Sequence, residues 1–229
     1  MKTMRKRVGS ILLVCAMLLT LLPTTVLAAE TDGQSGTLAG ETAAVKTVST
    51  AEALTEAITA AQDGETIQLG ADISVTLPSF AEKKALTFDL GTHTLTLTNT
   101  DTISVANGAA ISFKNGNIVA GEMKPASTGT DSRSVSTFEA QTGSTITLDN
   151  VDFTAGSTAL TAWGNAAAVN VLNGSTITAV GYCFGTNARS VDNYNVNITM
   201  KDSTIQASTA SNALGTAMYL NVPGNLMID

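Results

Sequence analysis

One short pattern is written twice, in Ile111-Ser-Phe113-Lys-Asn115-Gly-Asn-Ile118 and in Ile146-Thr-Leu148-Asp-Asn150-Val-Asp-Phe153. Each copy alternates apolar and polar residues, reaches an Asn, and has another apolar residue three positions later. Weaker copies begin at Thr66, Leu86, Val169 and Ile198. If Ile67, Phe88, Phe113, Leu148, Val171 and Met200 are equivalent, the steps between copies are 21, 25, 35, 23 and 29 residues. Alternation in repeats of this length predicts a solenoid of stacked β-strands.

A second strand candidate precedes the main motif in most repeats, at 102–105, 158–161, 182–184 and 217–220. One long strand and one or two short strands per repeat, with Gly and Asn at the bends, are typical of a coil of a parallel β-helix. The predicted fold class is therefore all-β, a parallel β-helix solenoid. The predicted domain covers residues 46–229, with about six to seven coils from Gly64 onward. We expect it to be right-handed, because parallel crossover connections almost always are.

The alternation also assigns side chains to the two faces of each strand. The apolar positions, such as Leu148 and Val171, are predicted to point into the cylinder and to be almost fully buried. Outside, stacking the coils forms one charged row and one row at the turn. The charged row contains Asp89, Lys114, Asp149, Leu172 and Lys201, and the turn row contains Asn115, Asn150, Asn173 and Asp202. Stacked Asn side chains are expected to bond to amides of the neighbouring coil.

One helix is predicted ahead of the strands, where it covers the N-terminal end of the solenoid. Ser49 is the predicted N-cap, and Glu52 three residues later completes a capping box. Leu54, Ile58 and Ala61 share one face and are expected to pack on the first coil. Gly64 is expected to end the helix.

The N-terminus has the features of an export signal. A basic start with Lys2, Arg5, Lys6 and Arg7 precedes a short apolar run over 11–22, and Val26-Leu27-Ala28 fits a cleavage site. We therefore predict a signal peptide over 1–28, a flexible linker over 29–45, and a secreted or cell-surface location without membrane insertion after cleavage. The other interpretation is an uncleaved membrane anchor, which the shortness of the apolar run disfavours.

The charge and cysteine content narrow the classes of partner and chemistry. Cleavage removes four of the 12 Lys and Arg and none of the 19 Asp and Glu, so the mature net charge is 8 − 19 = −11. Such a charge argues against nucleic acid or an anionic membrane as a partner. Cys183 is then the remaining Cys, so no intramolecular disulfide forms, and it is predicted to be a buried apolar residue.

The chain resembles the right-handed β-helix proteins of the pectate-lyase-like superfamily. The resemblance is carried by Ser49-Thr-Ala-Glu-Ala-Leu54 with Gly64-Glu-Thr-Ile67-Gln-Leu69, and by Leu86-Thr-Phe88-Asp-Leu90-Gly91 and Val171-Leu-Asn173-Gly174-Ser-Thr-Ile177. It implies a capping helix, export from the cell and a surface that faces carbohydrate. It implies no activity, because one scaffold carries lyases, hydrolases, adhesins and stalks.

The candidate catalytic residues are weak. Asp89, Lys114 and Asp149 share the charged row, and Arg133 comes from the long insertion between two of the repeats. Two carboxylates flanking a Lys suit a cation or a uronate, but cross-strand charge pairing on a solvated sheet explains them more simply. Trp163 is the candidate carbohydrate contact, either on a rim or filling a bend. Arg189 and Asp192 are interpreted as a local ion pair.

These features favour a non-catalytic exported β-helix domain of a bacterial cell-surface or secreted protein, acting as a stalk, an adhesin or a glycan-contacting surface. The predicted partners are extracellular polysaccharide or host surface glycans, and no cofactor is predicted. The alternative is a polysaccharide lyase or glycosidase whose site lies on coils beyond Asp229, and only this alternative implies calcium. Further coils are expected because Leu226-Met-Ile228-Asp229 begins another copy of the motif, with Ile228 28 residues after Met200.

Overall fold

The computed structural model describes residues 45–125, 127–186 and 195–229. The predicted signal peptide, nearly all of the predicted linker, and the pair Arg189 and Asp192 lie outside these residues. Within them the chain forms α1 (Ala51–Ala60), a 3₁₀ helix (Ser132–Ser134) and seventeen strands. The strands are β1 (Val45–Val48), β2 (Thr66–Leu69), β3 (Ile73–Val75), β4 (Ala85–Asp89), β5 (Thr94–Leu97), β6 (Ile103–Val105), β7 (Ala110–Ala120), β8 (Ser136–Ala140), β9 (Thr145–Ala155), β10 (Thr158–Ala162), β11 (Ala168–Leu172), β12 (Thr176–Ala179), β13 (Phe184–Thr186), β14 (Val196–Met200), β15 (Thr204–Ala207), β16 (Met218–Tyr219) and β17 (Gly224–Ile228).

The strands wind into a parallel β-solenoid of about 7 turns. Twelve strands belong to one sheet that folds around a corner, and β16, β13, β10, β8 and β6 form a second sheet in that order. All registered strand pairs are parallel, as the crossover connections of a solenoid require. The predicted fold class, a parallel β-helix with an N-terminal helix, is confirmed.

The predicted register is also confirmed. Phe88 pairs with Ile67 and Phe113, Leu148 pairs with Phe113 and Val171, and Met200 pairs with Val171. β17 continues this register, since Leu226 pairs with Ile198 and Ile228 with Met200. The inward positions from Ile67 to Met200 are buried. Phenyl rings stack inside the cylinder, with centroids 5.0 Å apart between Phe88 and Phe113 and 5.3 Å apart between Phe113 and Phe138.

The corner of the large sheet lies at the predicted Asn row. Asn115, Asn150, Asn173 and Asp202 all have φ between 49° and 59°. This left-handed conformation suits Asn and Asp better than other side-chain-bearing residues. It turns β7 and β9 sharply, and the apolar residues beyond the corner then stack in a second inward row, exemplified by Phe153 between Ile118 and Ile177.

The N-terminal cap differs from its prediction in three details. Thr50, not Ser49, is the N-cap, because its side chain accepts a hydrogen bond from the backbone nitrogen of Ala53 at 3.1 Å. α1 ends at Ala60, and Gly64 lies in the following turn with φ 82°. The strand β1, which was not predicted, precedes the helix and pairs with β2, which follows it. Leu54 and Ile58 are buried as expected.

Candidate functional site

The predicted charged row exists on the outer face of the large sheet. Lys114 pairs in register with Asp89 on one side and Asp149 on the other. Its ammonium nitrogen lies 3.4 Å from Asp89 Oδ2. The row thus has the cross-strand charge pairing that a solvated sheet favours.

The two carboxylates of this row also support the corner. Asp89 Oδ1 accepts hydrogen bonds from Asn115 Nδ2 at 3.1 Å and from the Gly91 backbone nitrogen at 3.2 Å. Asp149 Oδ1 accepts from Asn173 Nδ2 at 2.7 Å. The predicted Asn–Asn contact occurs once in this row, from Asn150 Nδ2 to Asn115 Oδ1 at 3.3 Å. Asp89 and Asp149 therefore have structural partners at the corner.

Arg133 does not join these three residues. Its guanidinium bonds to Asp131, with Nε 2.9 Å from Oδ1, and Nη1 donates to the Asn212 carbonyl oxygen at 2.8 Å. Its own carbonyl oxygen accepts from Thr158 Oγ1 on the five-stranded sheet. The hydrogen bond from Arg133 holds the pKa of Asp131 below its ordinary value of 3.8. The four candidates thus lie in two separate places.

Trp163 lies directly after β10 and is half-buried. Its backbone nitrogen donates to the Ala140 carbonyl oxygen at 2.7 Å, which fixes the bend. A role for Trp163 in carbohydrate contact stays a prediction. Cys183 is fully buried, as predicted, and burial raises the pKa of its thiol.

A groove of about 330 Å³ lies on the outer face of the five-stranded sheet. We call it the hydroxyl groove. Hydroxyl-bearing side chains dominate its lining, which consists of Ser134, Ser136, Glu139, Thr158, Thr161, Tyr182, Gly185, Thr186 and Tyr219. These residues combine a polar floor with an aromatic rim.

Strand alternation produces the floor of the groove. Phe138, Leu160 and Phe184 pair in register and point into the core. The next position on each strand therefore faces outward, and this row contains Glu139, Thr161 and Gly185. A β-carbon at residue 185 would lie 3.2 Å from Thr161 Oγ1. A side chain there would crowd Thr161 and narrow the groove.

The rim carries a pair of stacked tyrosines. The ring centroids of Tyr182 and Tyr219 are 5.3 Å apart and their planes are inclined by 23°. Tyr219 is 49% exposed, although it is a large aromatic residue. Stacking on Tyr182 restricts its ring, so the exposed face is a pre-oriented apolar platform with a phenol at its edge.

Hydrogen bonds attach two other parts of the chain to the groove, namely the segment between β7 and β8 and the coil that contains Asn221. Thr158 Oγ1 donates to the Arg133 carbonyl oxygen at 2.8 Å and accepts from the Tyr182 backbone nitrogen at 3.1 Å. Thr186 Oγ1 donates to Asn221 Oδ1 at 3.0 Å and accepts from the Asn221 backbone nitrogen at 2.7 Å. The floor is therefore rigidly held before any ligand arrives.

Glu139 is the one carboxylate among the described residues that line this groove. It is half-buried, and its Oε1 accepts a hydrogen bond from Gln141 Nε2 at 2.8 Å. Gln141 also approaches Ser104 Oγ at 3.4 Å. The Glu139 carboxylate, whose charge is shared by both of its oxygens, makes the groove floor acidic.

Two other cavities are bordered by residues that stabilise the fold. One, of about 290 Å³, lies between α1 and the first coil beside Ile58, Phe80 and Lys84. The Lys84 ammonium there bonds to the Ala61 carbonyl oxygen at 3.1 Å and to Glu82 at 2.6 Å, which ties the helix end to the coil. The other, of about 280 Å³, lies along the Asn corner.

Within residues 45–125, 127–186 and 195–229, no group of three or more His, Cys, Asp or Glu side chains is placed to hold a metal ion. Among the same residues, no helix has the length and apolar character needed to cross a membrane.

Sequence reasoning missed the hydroxyl groove as a site. The predicted strand candidates at 158–161, 182–184 and 217–220 contain residues of the groove, among them Tyr182 and Tyr219. The signal that connects them is the register, since Thr161 pairs with Gly185 and Gly185 with Tyr219. Extending the register of the main motif to these upstream strands would have brought the three positions together.

Comparison with known proteins gives no match. The chain fits no protein-family model, and no curated protein or solved structure shows significant similarity to it. Membership of the pectate-lyase-like superfamily therefore stays a prediction, whereas the parallel β-solenoid follows from the strand pairing itself.

Proposed function

We propose that this chain is a non-catalytic β-helix domain of an exported bacterial cell-surface or secreted protein, and that the hydroxyl groove is its glycan-contacting surface. The observation that carries the proposal is the exposed Tyr219 ring, stacked on Tyr182 beside a floor of Ser and Thr hydroxyls. The predicted signal peptide and the acidic mature chain support an exported location.

Sugar rings suit such a groove for two physical reasons. Their C–H faces are apolar and pack against aromatic rings, while their edges carry hydroxyls that need hydrogen-bond partners. The groove offers an aromatic platform and polar groups that already have fixed positions. Pre-organisation of this kind lowers the entropic cost of binding.

A polysaccharide lyase or glycosidase of the same fold is the second candidate function. Most glycosidases need two carboxyl groups flanking the scissile bond. The described lining of the groove provides one, Glu139, and that residue is bonded to Gln141. The row of Asp89, Lys114 and Asp149 offers two carboxylates, but both accept hydrogen bonds at the corner. The geometry therefore favours binding over hydrolysis.

The proposal is tested by binding to a panel of soluble polysaccharides, measured by affinity electrophoresis. We expect at least one polysaccharide to bind and Tyr219→Ala to weaken that binding about tenfold or more, because an aromatic anchor is worth 1.4 kcal/mol or more. Val119→Ala is the matched control, since Val119 is a 40% exposed apolar residue on the other sheet. Absence of binding throughout the panel, or equal losses in both variants, would contradict the proposal.

The same panel separates the two candidate functions. Incubated polysaccharides are assayed for new reducing ends and for unsaturated products. We expect neither to appear above the level of a heat-inactivated sample. Products that increase with protein concentration would establish the catalytic alternative.

A further inference from the structure

We infer that the hydroxyl groove selects uncharged, hydroxyl-rich sugar chains and rejects uronates and sulfated sugars. The inference rests on the proposed function and adds the class of glycan. Two features of the groove carry it, namely the direction of its hydrogen bonds and its uncompensated charge.

Most hydroxyl hydrogens of the floor are already donated inside the protein. Ser134 Oγ donates to the Asp131 carbonyl oxygen at 2.7 Å, Thr158 Oγ1 to Arg133, and Thr186 Oγ1 to Asn221. A hydroxyl has one hydrogen and two lone pairs, so none of these oxygens has a hydrogen left to donate. Thr158 and Thr186 already accept one backbone N–H each and so have one lone pair left. Ser136 and Thr161 bond to each other, which leaves one hydrogen between them.

Glu139 adds further acceptors to the same surface. An ionised carboxylate accepts about four hydrogen bonds, and Gln141 provides one of them. The phenols of Tyr182 and Tyr219 donate or accept equally well. The groove is therefore rich in acceptors, and its natural complement is a ligand that donates. Sugar hydroxyls donate, whereas ionised carboxylates and sulfates only accept.

The charge of the groove also disfavours an acidic ligand. None of the described lining residues is Lys or Arg. Arg133, whose carbonyl oxygen bonds to Thr158, directs its guanidinium to Asp131 and Asn212. An acidic sugar in the groove would therefore lie beside the Glu139 carboxylate. The Arg133 guanidinium is near enough to Tyr182 to interact with its charge, but it is already paired with Asp131. Like charges brought together in an interface weaken binding.

The test compares matched pairs of oligosaccharides that share one backbone and differ in charge. Cello-oligosaccharides are paired with the same chains oxidised to uronates, and manno-oligosaccharides with mannuronates. Binding is measured by calorimetry at low salt, where surface electrostatics are strongest. We expect the neutral member of the binding pair to bind at least about tenfold tighter.

Glu139→Gln is the diagnostic variant, because it keeps the shape of the side chain and supplies an amide donor. We expect it to reduce the preference for the neutral member to within about threefold, since the repulsion of the acidic member is removed. Glu56→Gln is the matched control, with the same change of charge on the exposed face of α1, and should leave the preference unchanged. Thermal unfolding of each variant verifies its folding.

A second readout needs no variant. Added salt screens charge repulsion, so binding of the acidic member by the unmodified chain should tighten with salt while that of the neutral member stays constant. Uronates that bind as tightly as their neutral partners, or a preference unchanged by Glu139→Gln, would overturn this inference and leave the proposed function standing. Binding of only acidic members of the polysaccharide panel, with neither neutral oligosaccharide bound, would also overturn this inference. Failure of both pairs and of the whole panel to bind would contradict the proposed function itself.

Discussion

Leu148 and Asp149 are neighbours in the chain, yet they have opposite environments. Leu148 is fully buried in the cylinder, and Asp149 is half-exposed on the outer face of β9. The difference follows from the period of two along a strand. A shift of register by one residue would exchange the two environments, so this pair reports directly on the register.

We predict that Leu148→Ala lowers the free energy of unfolding by about 2–5 kcal/mol, because it leaves a cavity between Phe113 and Val171. Asp149→Ala should cost about 0.5–1.5 kcal/mol, the value of its hydrogen bond with Asn173. Urea unfolding of both variants measures the difference. Equal losses at the two positions would contradict the register.

Substitutions of Asn150 can distinguish two contributions to stability, that of its backbone conformation and that of its side-chain hydrogen bond. It has φ 56°, and its amide donates to Asn115 Oδ1 at 3.3 Å on an exposed surface. We predict that Asn150→Ala lowers the free energy of unfolding by about 1–2 kcal/mol, because alanine is strained in this conformation. Asn150→Gly should cost less, since glycine adopts positive φ freely. Denaturant titration compares the two, and a larger loss for glycine would show that the conformation is not the reason for the Asn row.

These single positions are where the sequence predicts most. Inward apolar residues and the Asn at each turn are dictated by local chemistry, and Met200 and Ile228 paired as their spacing indicated. The cap of α1 was misplaced by one residue because Ser49 and Thr50 are both good N-cap residues. Only the geometry decides between them, and the bond from Ala53 goes to Thr50.

The segment between β7 and β8 is the longest insertion in the repeats, and it packs closely on the five-stranded sheet. Gly181 lies beneath it, and a β-carbon there would overlap the Arg133 carbonyl oxygen and lie 2.6 Å from the Thr158 backbone nitrogen. The insertion therefore approaches the coil at a distance that only glycine permits. This contact also fixes Ser134 at the edge of the hydroxyl groove.

We predict that Gly181→Ala destabilises the fold by about 3 kcal/mol, since the crowded atoms belong to the backbone and must move together. It should also weaken glycan binding, because Tyr182 is the next residue. Gly121→Ala is the control, as a β-carbon there meets no other atom within 4 Å. Thermal unfolding of the two variants is the measurement, and similar melting temperatures would refute the close approach.

Sequence patterns predicted these elements unevenly. β2, β4, β7, β9, β11 and β14 each carry the alternating motif and were predicted. β1 was missed because Val45-Lys-Thr-Val48 is short and lies at the edge of the sheet, where three of its four residues are exposed. Edge strands bury little, so selection for an apolar pattern is weak there.

In the whole molecule, the two sheets have different outer faces. The large sheet has a charged row and an Asn corner whose side chains bond to each other. The five-stranded sheet has hydroxyls and a tyrosine platform. The sequence offers the charged row as a weak candidate because charges stand out in a sequence. Sequence reasoning missed the hydroxyl groove because Ser and Thr are abundant throughout, and only the coiling brings Ser134, Thr161 and Tyr219 together.

The central claim is that the outer face of the five-stranded sheet is the ligand-binding face of this solenoid. Amide hydrogen exchange, measured with and without the tightest-binding polysaccharide of the panel, tests it most directly. We predict slower exchange in β8, β10, β13 and β16 upon binding, and unchanged exchange in β5 and β12. Protection confined to β5, β12 or the Asn corner, with no change in the five-stranded sheet, would contradict it.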